Sequence, residues 1–346
     1  MTVRAYQTGD EPQIQALYHK VFEKDRSRDE WAWKFRDPPN ALNPFIFVYE
    51  DDGALLGHIA LWVSDAYING VTEPIALRVD TMVDPDARGR GIYRQLNDAM
   101  LTAATDQGIK LLYGFPAAQA KEQLLKTTNA VHAGDVARHR VILDPVALAA
   151  CVFSFLKPLK TLGTWYKRWK RRHASGDVLP EGWTLREVTT CDEQFDELAD
   201  ACQQMKPVML KRDAAYLQWR YLRHPEATYR LIALSKDGHL QGYVVLTTET
   251  VPFKKGQAVI GHVVDALAYD DASVWEYLAK GAVATLAAAD VIQLWASPDA
   301  TAAHAFARIG VKEHDRPMPL VVNDLGADTG HHLSDWWLTQ GDVDSF

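Results

Sequence analysis

The chain has 346 residues, 47% hydrophobic and 24% charged, a balance that suits two globular domains and leaves little room for extended disorder. Its formal charge of -8 argues against broad nucleic-acid binding, which needs a surplus of Lys and Arg on some face. Cys151, Cys191 and Cys202 show no CxxC spacing, the start "MTVRAYQTGDEP" has no apolar leader core, and the longest apolar run, 146–156, is short of the roughly 20 residues of a membrane span, so a reduced, cytoplasmic setting without zinc or disulfides is expected.

In chain order, a first strand leads to helical segments that end at Trp33-Lys34-Phe35-Arg36-Asp37-Pro38. "IFVYEDDGALLGHIALW", residues 46–62, then flanks an Asp-Gly pair with apolar runs, the short-range signature of a hairpin. A further strand is expected over Ala76–Val83. A helix should follow over Ile92–Gln107, where Ile92, Leu96, Ala99, Met100 and Ala103 recur at helical spacing and Gly108 stands at the C-cap position. The strand "IKLLYGFP" and a helix from Ala117 to Thr127 come next.

The same order then repeats. Trp219-Arg220-Tyr221-Leu222-Arg223-His224-Pro225 echoes the first Trp segment with one residue of slippage, and "LIALSKDGHLQGYVVLT" aligns without gaps on the first hairpin. Gly238 thereby falls on Gly53, Gly242 on Gly57 and Asp265 on Asp80. A strand "GHVVDALAY", a helix around Ser273–Ala289, a strand "VIQLWASP" and a helix through "DATAAHAFARIG" follow. This pattern predicts an α+β protein of two similar mixed sheets with flanking helices, over 1–145 and 181–325, joined by a basic aromatic linker at 146–180 and closed by a tail at 326–346.

The chemistry concentrates in "VDPDARGRGIY", Val83–Tyr93, where the strand gives way to a helix that no Ser, Thr, Asp or Asn caps. An uncapped helix start carries unpaired N–H groups and partial positive charge, so a bound phosphate can take the place of the cap. Gly89 and Gly91 permit close approach and positive φ, and Arg88 and Arg90 add charge. Spacing excludes two familiar phosphate loops: Ile92-Tyr93 stands where a P-loop needs Lys-Ser/Thr, and Arg94 where GxGxxG needs glycine. The segment resembles motif A of the GNAT acyltransferases, in which a strand, V-x-P-x-x-R-G-x-G and a helix hold the pyrophosphate of an acyl-CoA. The usual pattern of that family is Gln/Arg-x-x-Gly-x-Gly/Ala; Arg88 and Gly91 match it, whereas Tyr93 takes its last small position.

The resemblance implies two tandem GNAT-like domains and acyl-CoA, acetyl-CoA first, as cosubstrate. The donor would be held by Thr81, Met82, Val83, Arg88, Gly89, Arg90, Gly91, Ile92 and Tyr93, with the pantetheine arm pairing along the strand edge at 81–83. It further implies direct attack of an amine on the thioester, without a covalent enzyme intermediate and without a metal. Candidate bases are Asp80, Asp84 and Glu73. The Tyr that many relatives place in the next helix is absent from "AAQAKEQLLKTTNAVHAGD", which leaves His132 and Tyr113 as candidate acids. Asp80 also has a structural reading, because its counterpart Asp265 sits in a copy without the phosphate turn. His331 and His332 are adjacent and lack any HExxH or Cys companion, so they read as surface histidines.

The second copy should shape an acceptor pocket between the halves. In the linker, Phe155, Leu159, Leu162, Tyr166 and Trp169 recur at helical spacing among seven Lys and Arg between 157 and 172. That suits either peripheral contact of 155–172 with an anionic membrane or a helix packed between domains with a solvated basic side. In the tail, Trp336 and Trp337 are expected to dock on a domain and Asp342 and Asp344 to be exposed acids. "SDWWLTQGDVDSF" resembles the closing segment of GNAT-like proteins associated with bacterial surface polysaccharides, so the acceptor amine is expected on a small molecule or glycan precursor. Two other functions suit the same residues: a non-catalytic acyl-CoA-binding sensor or scaffold, and aminoacyl transfer of the peptidoglycan-bridge type, which needs charged tRNA.

Overall fold

The computed structural model describes residues 2–153, 155–156, 163, 165, 167, 179–296 and 301–344. The first half supplies β1 (Thr2–Ala5), α1 (Glu11–Phe22), α2 (Arg28–Trp31) running into a π-helical turn (Ala32–Arg36), β2 (Phe45–Asp51), β3 (Ala54–Ile68) and β4 (Val71–Val83). It continues with α3 (Ile92–Asp106), β5 (Leu111–Gly114), α4 (Ala118–Thr127), β6 (Val131–Ile142) and α5 (Pro145–Val152). The second half supplies β7 (Trp183–Val188), α6 (Glu193–Ala201), β8 (Val208–Leu210), α7 (Ala214–Leu217) with a second π-helical turn (Gln218–Leu222), β9 (Arg230–Lys236), β10 (His239–Phe253) and β11 (Gly256–Ala268). Then come α8 (Ala272–Thr285), β12 (Val291–Trp295), α9 (Thr301–Arg308), β13 (Lys312–Asp324) and, in the tail, β14 (Trp336–Trp337).

Local chemistry sets the turns. Asp52-Gly53 and Asp237-Gly238 join β2 to β3 and β9 to β10 with φ of 49° and 78°, and 49° and 85°, the doubly left-handed turn whose twist matches the flanking strands. Asn69-Gly70 turns β3 into β4 in the same way, at 49° and 81°, so β4 begins at Val71 rather than at Ala76.

The fold is α+β with one mixed sheet in the order β1-β2-β3-β4-β5-β13-β6-β12-β11-β10-β9-β7. Corresponding strands of the two halves sit symmetrically about its centre, where they exchange partners. β13 of the second half pairs with β5, β6 of the first pairs with β12, and β6 and β13 pair with each other, all antiparallel. A strand's side chains alternate with period two whichever neighbour it takes, so nothing in the residues of β6 or β13 marks the exchange.

The two π-helical turns meet at the core. Trp33 and Trp219 each donate an indole N–H to the other's carbonyl at 2.8 Å, and their rings stack with centroids 5.6 Å apart. Both are buried, as large aromatics expected to anchor a core should be. Of the linker residues read as an amphipathic helix, Leu159, Leu162, Tyr166, Trp169 and every basic residue except Lys167 lie outside the described residues. Lys167 bonds Asp290 at 3.2 Å, and Phe155 is exposed. Among the described residues no helix is long and apolar enough to cross a membrane.

Candidate active site

β4 and β5 run parallel through only three pairs, Ile75↔Leu111, Ala76↔Leu112 and Leu77↔Tyr113, and then diverge. β4 continues to Val83 with its outer edge unpaired among the described residues, bent by a bulge at Asp80, whose φ is +45°. The gap opens into a cleft of about 760 Å³ lined by Arg78, Thr81 and Val83 of β4, by Gln119 and Gln123 of α4, and by Val343 and Asp344 of the tail.

At the mouth of the cleft stands the N-terminus of α3. Gly91 is its N-cap at φ +73°, with no side-chain cap, and Gly89 precedes it at +82°. A Cβ added at either glycine would meet nothing within 4 Å, so the left-handed backbone, not crowding, demands glycine here. Arg88 lines the cleft. Tyr93, in the last small position of the motif, is directed into the cleft and packs against Leu124 and Val321. A short 3₁₀ turn over Pro85–Ala87 orients the loop, its Asp84 carboxylate accepting from Asp86 N–H at 2.9 Å.

Behind the cleft lies an ion network. Asp80 accepts from Arg26 and, at 2.8 Å, from Lys34, and Lys34 also donates to Asp344 at 2.8 Å. Burial by itself would raise the Asp80 pKa, but the Lys34 ammonium and the Arg26 guanidinium outweigh it and hold the carboxyl well below the usual carboxylate range. So weak a base suits the structural reading of Asp80. Its main-chain carbonyl accepts from His58 Nδ1 at 2.7 Å, and burial lowers the His58 pKa to about 4, so the ring is neutral.

The other expected site residues fall in different places. Thr81 and Val83 face the cleft, while the Met82 side chain is buried in the core. Ile92 is buried beneath α3, against Gly57. Arg90 reaches away to Asp51 at 2.6 Å, and Asp84 is held by Lys20 at 2.7 Å. Glu73 pairs with Ala66 toward the start of β4, away from the cleft lining. His132 lies on β6 with Nε2 3.0 Å from Asp135, also outside the lining. Tyr113 is buried beside Trp336, and burial raises its pKa well above the ordinary tyrosine value.

Arg78, Lys34 and Asp344 have no site role in the sequence reading, yet the structure brings them to the cleft and its wall. Lys34 was open to discovery, because the repeated Trp segment sets it opposite Arg220, another buried cation. Of the two tail acids, Asp342 is corrected to a buried residue, whereas Asp344 is exposed as expected but stands in the cleft. Asp342 is 2% exposed and accepts from Arg212 at 2.8 and 2.7 Å, while Asp344 sits in the cleft at 33% side-chain exposure. The buried Arg212 drew Asp342 inward, a force that its polar surroundings in the sequence do not display, and Lys34 holds Asp344 at the wall of the cleft.

The corresponding place in the second half is closed. Arg212 bonds Asp265 at 2.8 Å, repeating the Arg26–Asp80 pair. There, however, Trp337, Leu338 and Thr339 of the tail fill the gap beside β12, leaving about 30 Å³. α8 also carries an acidic cap, Asp271 accepting from Ser273 N–H at 2.7 Å and from Val274 N–H at 3.3 Å. That carboxylate satisfies the helix start and repels an anion, the reverse of the arrangement at Gly91. Among the described residues no group of three or more His, Cys, Asp or Glu is placed to hold a metal ion.

Residues 2–121 match the family model described as an acetyltransferase (GNAT) domain, a family of acyl-CoA-dependent enzymes. No curated protein matches the chain. Among solved structures, a GCN5-related N-acetyltransferase from Anabaena variabilis ATCC 29413 is 15% identical with a TM-score of 0.68, covering 94% of this chain and 72% of that one. A conserved protein of unknown function from Enterococcus faecalis V583, described as a probable N-acyltransferase, is 11% identical with a TM-score of 0.64 over the same shares. A GCN5-related N-acetyltransferase from Kribbella flavida is 14% identical with a TM-score of 0.61, again over 94% and 72%. At these identities the likeness is one of fold.

Proposed function

We propose that this chain, whose residues 2–121 match the GNAT acetyltransferase domain model, moves an acyl group from acyl-CoA to a primary amine on an amino sugar or surface-polysaccharide precursor. The observation that carries the reading is the splayed edge of β4 leading from an uncapped, glycine-preceded helix start with Arg88 at its rim. Unpaired N–H groups at the start of α3 suit a diphosphate, and the open edge at 81–83 suits an arm that pairs as an added strand. On this reading 1–145 is the donor domain and 181–325 a degenerate copy. The linker is 146–180, and the tail at 326–346 seals the second cleft and completes the first.

Acyl-CoA supplies the activated carbonyl. The residues of the chain orient it and manage charge: a main-chain N–H at the Asp80 bulge faces the oxygen that becomes negative as the C–N bond forms and the C–S bond breaks. An amine of pKa about 10 must shed a proton before it attacks. Asp344 is placed to receive it. Its Oδ2 is held by Lys34, and its Oδ1 has no partner among the described residues. Asp80, locked between two cations, keeps the wall of the cleft in place.

Release of free thiol from acetyl-CoA across a panel of amines tests the reading, with the chain carrying Arg88→Glu as control. Binding of CoA with no thiol release on any amine would favour the sensor or scaffold. A shift of charged tRNA on a gel at low salt would favour aminoacyl transfer.

A further inference from the structure

The donor cleft has an inner end, built around a cation that no carboxylate balances. Arg78 stands one residue past Leu77↔Tyr113, the last β4–β5 pair, and lines the cleft. Its guanidinium donates to Asn97 Oδ1 on α3 and to Asn323 Oδ1 on β13, each at 2.9 Å. Asn323 in turn donates its amide N–H to Thr128 Oγ1 at 3.1 Å, which fixes its oxygen toward Arg78. Both acceptors are neutral, and no carboxylate among the described residues pairs with this side chain. Burial lowers its pKa to about 10.

The contrast with three buried cations of the ion networks is informative, while Arg220 rests on the Val343 carbonyl. Arg26, Lys34 and Arg212 each rest on at least one carboxylate. Arg78 is half-buried at the cleft wall, so its guanidinium is partly withdrawn from water without a counter-charge, a cost that two amide oxygens offset only in part. These two bonds and a long one to Met100 Sδ at 3.9 Å engage three of its five N–H donors, and the planar fork suits a carboxylate.

Position identifies the ligand group. With a diphosphate at the start of α3 and the arm paired inward along β4, the thioester reaches the bulge at Asp80. Arg78 lies two residues, roughly 7 Å, further along the strand. The group that extends past the thioester toward the closed end of the cleft is the acyl chain. A short diacid chain therefore brings its distal carboxylate to the guanidinium.

We propose that Arg78 is a receptor for the far end of the acyl group, so that the preferred donor is a dicarboxylic acyl-CoA of the malonyl or succinyl type rather than an acyl-CoA with an apolar tail. This rests on the donor-site reading above and narrows it. The selectivity is one of charge: butyryl-CoA matches succinyl-CoA in chain length and leaves Arg78 without its partner.

Calorimetric titration of the full chain with succinyl-CoA, butyryl-CoA and CoA tests it, in the wild type, Arg78→Met and Arg78→Lys. The expected result is a wild-type preference for succinyl- over butyryl-CoA of roughly ten- to a hundredfold, as a charge-assisted hydrogen bond provides. That ratio should fall to about one in Arg78→Met and partly survive in Arg78→Lys, which keeps a point charge but loses the fork. A wild-type ratio near one overturns the proposal, as does a ratio that Arg78→Met leaves intact. If Arg78→Met fails to fold, the wild-type and Arg78→Lys ratios decide. CoA separates the two layers: CoA binding with a ratio near one sinks only this inference, whereas no binding of CoA or either thioester sinks the donor site itself.

Discussion

Reversing the charge at Arg88 isolates the donor site from the fold. The side chain is exposed at the rim of the cleft, so Arg88→Glu should change stability without ligand by no more than about 0.5 kcal/mol. A guanidinium–phosphate bond contributes about 1.5–3 kcal/mol, and a carboxylate in its place adds repulsion, so Kd for CoA should weaken by about two orders of magnitude. At a CoA concentration about 100 times the wild-type Kd, binding stabilises the native state by about 2.7 kcal/mol; in the variant the same concentration leaves about 0.4 kcal/mol. In a chain of this size that corresponds to a melting shift falling from roughly 4 °C to below about 1 °C. Thermal denaturation with and without CoA measures it, and added NaCl should shrink the wild-type shift because the site is open to solvent. An undiminished shift in Arg88→Glu at matched CoA would refute the anchoring of the diphosphate at α3.

Asp344→Asn should lower kcat by about 10²- to 10⁴-fold with little change in CoA affinity, since it removes a proton acceptor and keeps the shape; steady-state kinetics beside CoA titration separate the two. Arg212→Met leaves Asp265 and Asp342 buried without their shared cation and should cost roughly 3–5 kcal/mol in urea denaturation, and with the tail loosened, activity should fall as well. His58 gives a pH signature. Its folded pKa of about 4 lies below the unfolded 6.5, so its contribution is full above pH 6.5 and is lost as pH falls toward 4. At pH 5 the loss amounts to about 2 kcal/mol. His224, also lowered to about 4 by burial and then by Arg220, acts in the same direction, so the test is whether His58→Gln flattens the dependence of the urea midpoint between pH 7 and 5 relative to wild type.

Features that depend on a few neighbouring residues were legible in the sequence. Asp52-Gly53 and Asp237-Gly238 specify their turns because few residues tolerate two positive φ values in succession, and the spacing of Ile92, Leu96 and Met100 marks the buried stripe of α3, with Ala99 and Ala103 half-buried at its edge. Glycines at 89 and 91 with no capping side chain similarly announced an open helix start. The repeat was readable for the same reason, since each copy carries its own local signals. Tertiary structure alone decided what depends on distant partners. β6 and β13 exchange neighbours because a pleated edge accepts any strand of suitable register, and register across the chain leaves no local mark. Asp80 is locked, Asp342 buried and Asp344 carried into the cleft by cations far away along the chain, and Arg78 became conspicuous only once no carboxylate arrived beside it. The energy of a buried charge depends on what surrounds it, and only the folded chain sets those surroundings.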